Sequence, residues 1–290
     1  MPMKGVLLTG GSGTRLWPIT KSTSKGLLPV YDKPLVYYPL TTLMLTGIRD
    51  ILVISSPEWL GMYRELLGDG SEWGMNFEYA VQPEPRGIPD ALNIGERYLG
   101  RDSFALILGD NLLHGAGLGR NLLKNVASQG ATILAYEVSN PEDYGVLLFD
   151  EQSNPIDLIE KPKNRLSKWA IPGLYFFDNE AISRAKSLTV SSRGELEIVD
   201  LLKYYLEFSK LKVVKLTRGT AWLDLGSAKG LSEASDYVRA MQIRQGQLIG
   251  SPEEIAWRMG WINSPITKSV SSAKSAYATS IIELLENLND

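Results

Sequence analysis

Lys4-Gly5-Val6-Leu7-Leu8-Thr9-Gly10-Gly11-Ser12-Gly13-Thr14-Arg15-Leu16 passes from an apolar run into three glycines and a lone cation. An apolar run cut off by glycine reads as a buried strand ending in a tight turn, because glycine enters positive φ freely and lets backbone N–H groups approach a ligand. A strand feeding such a loop is a phosphate cradle, and Arg15 adds a fixed positive fork to it. Two better-known phosphate loops do not fit. The dinucleotide fingerprint needs a glycine three residues after its second one, where Leu16 stands if the count starts at Gly13; the kinase-type loop needs Gly-Lys-Ser/Thr, to which neither Gly10 nor Gly11 leads. A glycine turn that merely reverses the chain stays open on the loop alone. Lys25, in Ser24-Lys25-Gly26-Leu27-Leu28-Pro29-Val30, weighs against it, since two cations near one glycine loop point to a polyphosphate.

The composition narrows the chemistry. With 290 residues, the chain has room for one large α/β domain with an appendage or for two modest domains. A net charge of −3 argues against a nucleic-acid surface. The absence of cysteine excludes disulfides, thiolate catalysis and cysteine zinc sites, and a single histidine, His114, excludes histidine clusters. A Ser-His-Asp triad would have to run through His114, and nothing around it supports one. No run is long and apolar enough to span a membrane, and no leader-like n-region and h-region precede the first strand, so the expectation is a cytoplasmic protein.

Beyond the loop, apolar spacing predicts helices over 37–46, 59–67 and 90–98, alternating with strands over 51–54, 77–81 and 104–108. Strands of this kind imply a parallel sheet covered on both faces, with the site at the carboxyl ends of the strands. The last strand ends in Gly109-Asp110-Asn111, where Asp110 is either a magnesium ligand or the cap of a turn. A helix over 118–129 is followed by clustered strands at 132–138, 145–149, 156–159 and 173–177, an accessory sheet with room for a second substrate. Within it, Glu160-Lys161-Pro162 ends a strand with an acceptor and a cation. The pair serves one pocket if the proline turns the chain, or is an exposed edge pair. The segment from Ser191 reads as the polar, acidic start of a helix running to about Phe208, then a strand over 213–216 precedes a second strand-end aspartate, Asp224. Helices over 229–245, 251–259 and 274–287 form the appendage, with Ile255, Trp257, Trp261 and Ile262 as packing residues.

A phosphate cradle, two cations and two strand-end carboxylates describe phosphoryl or nucleotidyl transfer, which needs positioning and charge neutralisation more than covalent help. An attacking phosphate is anionic at pH 7 and needs no general base, which suits a chain with one histidine. In their order, the glycine loop, Lys25, Tyr31-Asp32-Lys33-Pro34, Leu108-Gly109-Asp110-Asn111, Glu160-Lys161-Pro162, Arg193-Gly194-Glu195-Leu196-Glu197-Ile198, Ala221-Trp222-Leu223-Asp224 and the tail Glu253-Glu254-Ile255-Ala256-Trp257-Arg258 resemble the short-form glucose-1-phosphate thymidylyltransferases (dTDP-glucose pyrophosphorylases) of the sugar-phosphate nucleotidyltransferase family.

The resemblance implies a Rossmann-like, doubly wound, mixed but mainly parallel sheet. It assigns an α/β domain to 1–228, with a nucleotide part over 1–130 and a sugar part over 131–228, and a helical appendage to 229–290. It implies dTTP and glucose 1-phosphate as substrates, catalytic roles for Arg15, Lys25, Asp110 and Asp224, and Mg²⁺ on the two aspartates. Leu8, Gly10, Gly11, Gly13, Thr14, Arg15, Gln82 and Gly87 would bind the nucleotide, with Gln82 on the thymine edge. Gly145, Glu160 and Gly173 would hold the glucose, Lys161 and Arg193 its phosphate, and the chain would form a homotetramer. The chain departs from the family in places: Thr9 stands for alanine, Gly26 for the glutamine after the catalytic lysine, Gly87-Ile88-Pro89-Asp90 for Gly-Leu-Ala-Gln, and Leu225 for threonine. Uridylyl transfer, a non-catalytic regulatory homologue that binds nucleotide sugars, and a metal-dependent glycosyltransferase remain alternatives.

Overall fold

The computed structural model describes residues 3–11, 13–126 and 129–286. Ten strands form one mixed sheet. Its spatial order is Pro155–Glu160, Gly145–Phe149, Trp169–Ala170, Ala131–Glu137, Leu174–Phe177, Phe104–Leu108, Lys4–Leu8, Asp50–Ser55 and Asn76–Val81, with Leu211–Lys215 also paired to Ala131–Glu137. Lys4–Leu8 runs parallel to both its neighbours, and Asp50–Ser55 is parallel to Asn76–Val81. From Leu174–Phe177 outward to Pro155–Glu160 the pairing turns antiparallel. The strands expected as an accessory sheet thus continue the main one.

The strand alternation explains two cores. Val6, Leu52, Ile54 and Leu106 pack on one face with Ala91, Leu92 and Leu99 of the helix Asp90–Leu99. Leu7, Ile51, Val53, Ala105 and Ile107 pack on the other with Leu40, Leu43 and Met44 of the helix Tyr37–Leu45. Successive side chains of a strand point to opposite faces, so a strand apolar at every position must be covered twice. Among the described residues, no helix is long and apolar enough to cross a membrane.

Several boundaries differ from the sequence reading. The residues from Ser191 to Glu197 are not helical; the helix is Ile198–Glu207. Gly194 takes φ 80, its N–H donates to Ser191 O, and Leu196 N–H donates 2.8 Å across to Arg86 O. A long-range backbone partner overrides a locally helical composition here. The helix expected over 118–129 is Leu118–Asn125, with 127 and 128 outside the described residues. The last helix is Ala276–Glu286, residue 287 also falling outside them, and a short helix, Lys268–Ser272, precedes it unannounced. Also unforeseen is the strand Asn111–His114, which pairs antiparallel with Ala221–Asp224 in a separate ribbon.

Ile255, Trp261 and Ile262 pack partly buried on the second core, as expected; Trp257 is half-buried outside it, with the Arg258 guanidinium 5.9 Å from its ring. Ser227 caps the long helix Ala228–Gln245 by accepting from Gly230 N–H, and Gly246 closes it at φ 62.

Candidate active site

The ribbon brings the two strand-end aspartates together. Asp224 lies opposite Asn111, and Leu225 N–H donates 2.9 Å to Asp110 O, so the two carboxylates flank one point although they are 114 residues apart (224 − 110). Lys25 Nζ forms a salt bridge and hydrogen bond with Asp110 Oδ2. Asn111, 3% exposed, fixes the other carboxylate oxygen: its Nδ2 donates 2.9 Å to Asp110 Oδ1. Its own Oδ1 accepts from Gly173 N–H at 3.0 Å and from Trp222 Nε1 at 2.6 Å. Asn111 therefore ties together the strand end that carries Asp110, the Gly173 turn and the ribbon. It stands inside the Leu-Gly-Asp-Asn motif, and only its neighbour's charge drew notice in the sequence.

The electrostatics of the pair are asymmetric. Burial alone would push the Asp110 carboxyl up, but the Lys25 ammonium, with help from Asn111 and Arg15, holds it below its ordinary value. Burial and then the Asp110 charge push Asp224 up, against Arg15 and Lys25. Two carboxylates sharing a half-dry corner in this way have the donor chemistry of a hard divalent cation that takes its remaining oxygens from elsewhere. No group of three or more His, Cys, Asp or Glu side chains gathers to hold a metal among the described residues, so protein ligands beyond these two would have to be of another kind.

Two cavities meet at this corner. One, of about 290 Å³, is lined by Leu8, Gly10, Gly11, Gln82, Gly87 and Glu195 together with both cations. The other, of about 150 Å³, is lined by Gly145, Glu160, Lys161, Gly173, Tyr175 and Asp224. Arg15, Ile88, Leu108 and Asp110 line both, so one cation and one aspartate sit at the seam, with Lys25 on the larger side of it and Asp224 on the smaller. Close approach explains the glycines here. A Cβ on Gly173 would lie 2.6 Å from Leu108 Cδ1, and one on Gly226 2.3 Å from Arg15 Nη2.

Three of the expected residues do not line either cavity. Gly13, at φ 63, accepts from Thr20 Oγ1 and Thr14 opens the next turn, so both shape the loop from behind; Ser12 of the same loop lies outside the described residues. Arg193 sits behind Glu160. It donates to Glu197 through Nε at 3.0 Å and Nη2 at 2.5 Å, and to Glu160 Oε1 at 3.2 Å. Glu160 ends its strand, Lys161 turns at φ 41, and both side chains enter the smaller cavity. His114 pairs through Nδ1 with Tyr237 Oη at 2.7 Å, away from both cavities.

Three of the departures have structural reasons. The hydroxyl of the buried Tyr63 stands 2.3 Å from where a Gly26 Cβ would be, in the space a longer residue needs. Thr9 Oγ1 donates 2.9 Å to Ile54 O, bracing the loop against the next strand. Leu225 is fully buried with Leu35, Leu112 and Val238.

The model of the nucleotidyl transferase family matches residues 4–240. The chain belongs to the nucleotidyl transferase family. A glucose-1-phosphate thymidylyltransferase of Mycolicibacterium smegmatis is 50% identical over 98% of this chain and 99% of its own length. That of Neisseria meningitidis is 49% identical over 98% of this chain and 100% of its own. A solved Bacillus anthracis structure described as a glucose-1-phosphate thymidylyltransferase, in complex with sucrose, is 36% identical and covers 82% of this chain and 95% of its own, with a TM-score of 0.75. A UDP-glucose pyrophosphorylase complexed with UDP-glucose shares the fold at a TM-score of 0.72, 24% identity and 83% coverage of this chain, 99% of its own. The chain is thus a nucleotidyltransferase, similar over nearly its whole length to glucose-1-phosphate thymidylyltransferases.

Proposed function

We propose that the protein transfers the thymidylyl group of dTTP to α-D-glucose 1-phosphate, forming dTDP-glucose and pyrophosphate and so supplying dTDP-rhamnose and related deoxysugars. The observation that carries this reading is the meeting of Arg15, Lys25, Asp110 and Asp224 at the seam between two cavities, one for each substrate.

In this reading 1–130 takes the nucleotide, 131–228 the sugar phosphate, and 229–290 braces both. Gln82, Leu8 and the Gly87 backbone receive the base, and the loop from Gly10 to Arg15, with Gly13 and Thr14 setting its curve, receives the phosphates. Gly145, Glu160 and Gly173 hold the glucose. Lys161 holds its phosphate, and Arg193 joins it by exchanging Glu160 for that phosphate while Glu197 keeps its grip. The sugar phosphate attacks the α-phosphorus in line as an anion, the bond to the β-phosphate oxygen breaks, and pyrophosphate leaves with that electron pair. Arg15 and Lys25 draw off the negative charge that builds on the α-phosphate. Mg²⁺ on Asp110 and Asp224 supplies, when bound, further neutralisation and orientation of the triphosphate. We place the enzyme in the cytoplasm as a homotetramer; a monomer in sedimentation would remove the second part alone.

The test is pyrophosphate release by the purified protein given Mg²⁺, dTTP and glucose 1-phosphate. Release is expected, with kcat/KM higher for dTTP than for UTP. No release ends the proposal, and a higher value for UTP converts it into uridylyl transfer.

A further inference from the structure

The larger cavity holds one polar side chain whose orientation is set from outside it. Gln82 is 4% exposed and lines the cavity. Its Nε2 donates 3.1 Å to Asp90 Oδ2 and points at Gly87 O, 3.5 Å away. Asp90 is 8% exposed and does not line the cavity. It sits at the first position of the helix Asp90–Leu99, where the backbone N–H groups favour an anion. A carboxylate and a peptide carbonyl carry no protons, so both must face the NH₂ end of the amide. The oxygen is then fixed at the other end: Oε1 lies 2.2 Å from where a Gly10 Cβ would be, against the glycine loop that forms the cavity wall. Glycine at position 10 is what makes room for that oxygen.

We propose that Asp90 is a positioning residue for base selection, holding Gln82 so that a hydrogen-bond acceptor faces the nucleobase. The inference rests on the reading of this cavity as the nucleotide site. A pyrimidine that carries a proton on N3, as thymine and uracil do, donates to Oε1. Cytosine presents a bare N3 lone pair at the same place, and two acceptors facing each other repel and leave both unpaired. A free glutamine amide would rotate by 180° and offer its NH₂ to cytosine, so it would discriminate weakly. The buried carboxylate forbids that rotation. Asp90 thus replaces an adaptable neighbour, the family's glutamine, with one that accepts only.

The experiment compares wild type with Asp90→Asn, whose amide can donate or accept and so releases the lock. Pyrophosphate release is measured with dTTP and with dCTP, and binding of both nucleotides is measured by calorimetry without sugar phosphate. A selectivity ratio, dTTP over dCTP, that falls about tenfold or more in Asp90→Asn, in kcat/KM and in Kd, is the expected result. An unchanged ratio in a folded variant overturns the proposal; a general weakening that lowers both nucleotides alike does so too, since that is what a merely structural aspartate would give. Should the variant fail to fold, N3-methyl-dTTP on wild type decides. Binding about tenfold or more weaker than dTTP supports the acceptor orientation, and equal binding overturns it. If wild type binds dTTP selectively but releases no pyrophosphate, the transferase reading fails while the binding ratio still tests Asp90.

Discussion

Lys25 and Asp110 lie 85 residues apart in the chain and neutralise each other where the two cavities meet. Lys25→Ala is expected to lower kcat about 10²-fold or more, because the charge on the transferred phosphate loses a fixed partner. Pyrophosphate release at saturating substrates measures it, and a kcat within threefold of wild type contradicts it. Tm also falls, since Asp110 keeps its burial and loses its cation. Asp224→Asn is expected to do the reverse to stability. Asp224 is held up by burial and by Asp110, so removing its charge relieves a repulsion while the bond from Gly226 N–H is kept. In divalent-free buffer its Tm should rise while activity is lost, and a lower Tm would refute this. The charges at these positions were legible in the sequence. So was the meeting of the two aspartates; the Lys25–Asp110 salt bridge was not, and neither was Asn111, whose part appears only once Gly173 and Trp222 are beside it.

At the scale of elements, strands were the easiest to read. Phe104–Leu108 is apolar throughout and is found at its expected bounds because a strand buried on both faces carries no polar position to blur it. The 191–197 stretch misled because its acidic composition suits a helix start, whereas Gly194 and the bond from Leu196 to Arg86 make it a turn. Turns of this kind separate two classes of glycine. Gly226→Ala would press on the guanidinium end of Arg15 and, at 3.1 Å, on Asp224 Oδ1, both side-chain targets that can shift, so Tm should stay within a few degrees while kcat falls. Gly87→Ala, at φ 103 with Leu196 O 2.1 Å from the new methyl, meets backbone that cannot yield and should cost on the order of 3 kcal/mol or more in denaturant unfolding. If the two substitutions destabilise equally, this distinction fails.

Across the whole molecule, one buried cation joins the short hairpin of Pro29–Val30 and Lys33–Pro34 to the C-terminal helices. Lys33, 4% exposed, pairs with Asp32, donates 3.1 Å to Gln242 Oε1 and lies 5.4 Å and 5.2 Å from the rings of Tyr38 and Tyr277. Burial pulls its ammonium down, against the charge of Asp32. Close by, Glu253 accepts from Tyr277 Oη and, at 3.3 Å, from Ser251 Oγ. Burial pushes its carboxyl above the ordinary 4.5 despite those bonds. A carboxyl raised on folding stabilises the protein fully below its unfolded pKa, and that contribution is lost as pH rises through the folded value. Glu253→Gln should therefore match wild type in Tm below about pH 4.5 and exceed it increasingly as pH rises. A difference that does not grow with pH would count against it.

By itself, the sequence determined the strand-and-glycine loop, the alternation of buried strands with helices, and the order of charged motifs, because each depends on periodicity or backbone freedom within a few residues. Only the tertiary structure decided that Arg193 turns to Glu197 and Glu160, that Asp90 orients Gln82, and that residues 111–114 meet 221–224 in a ribbon that joins the aspartates. A charged or amide side chain takes whichever partner packing leaves beside it once water is removed, whether that partner is one helical turn away, as Glu197 is from Arg193, or across the sheet, as in the ribbon, and sequence order does not say which.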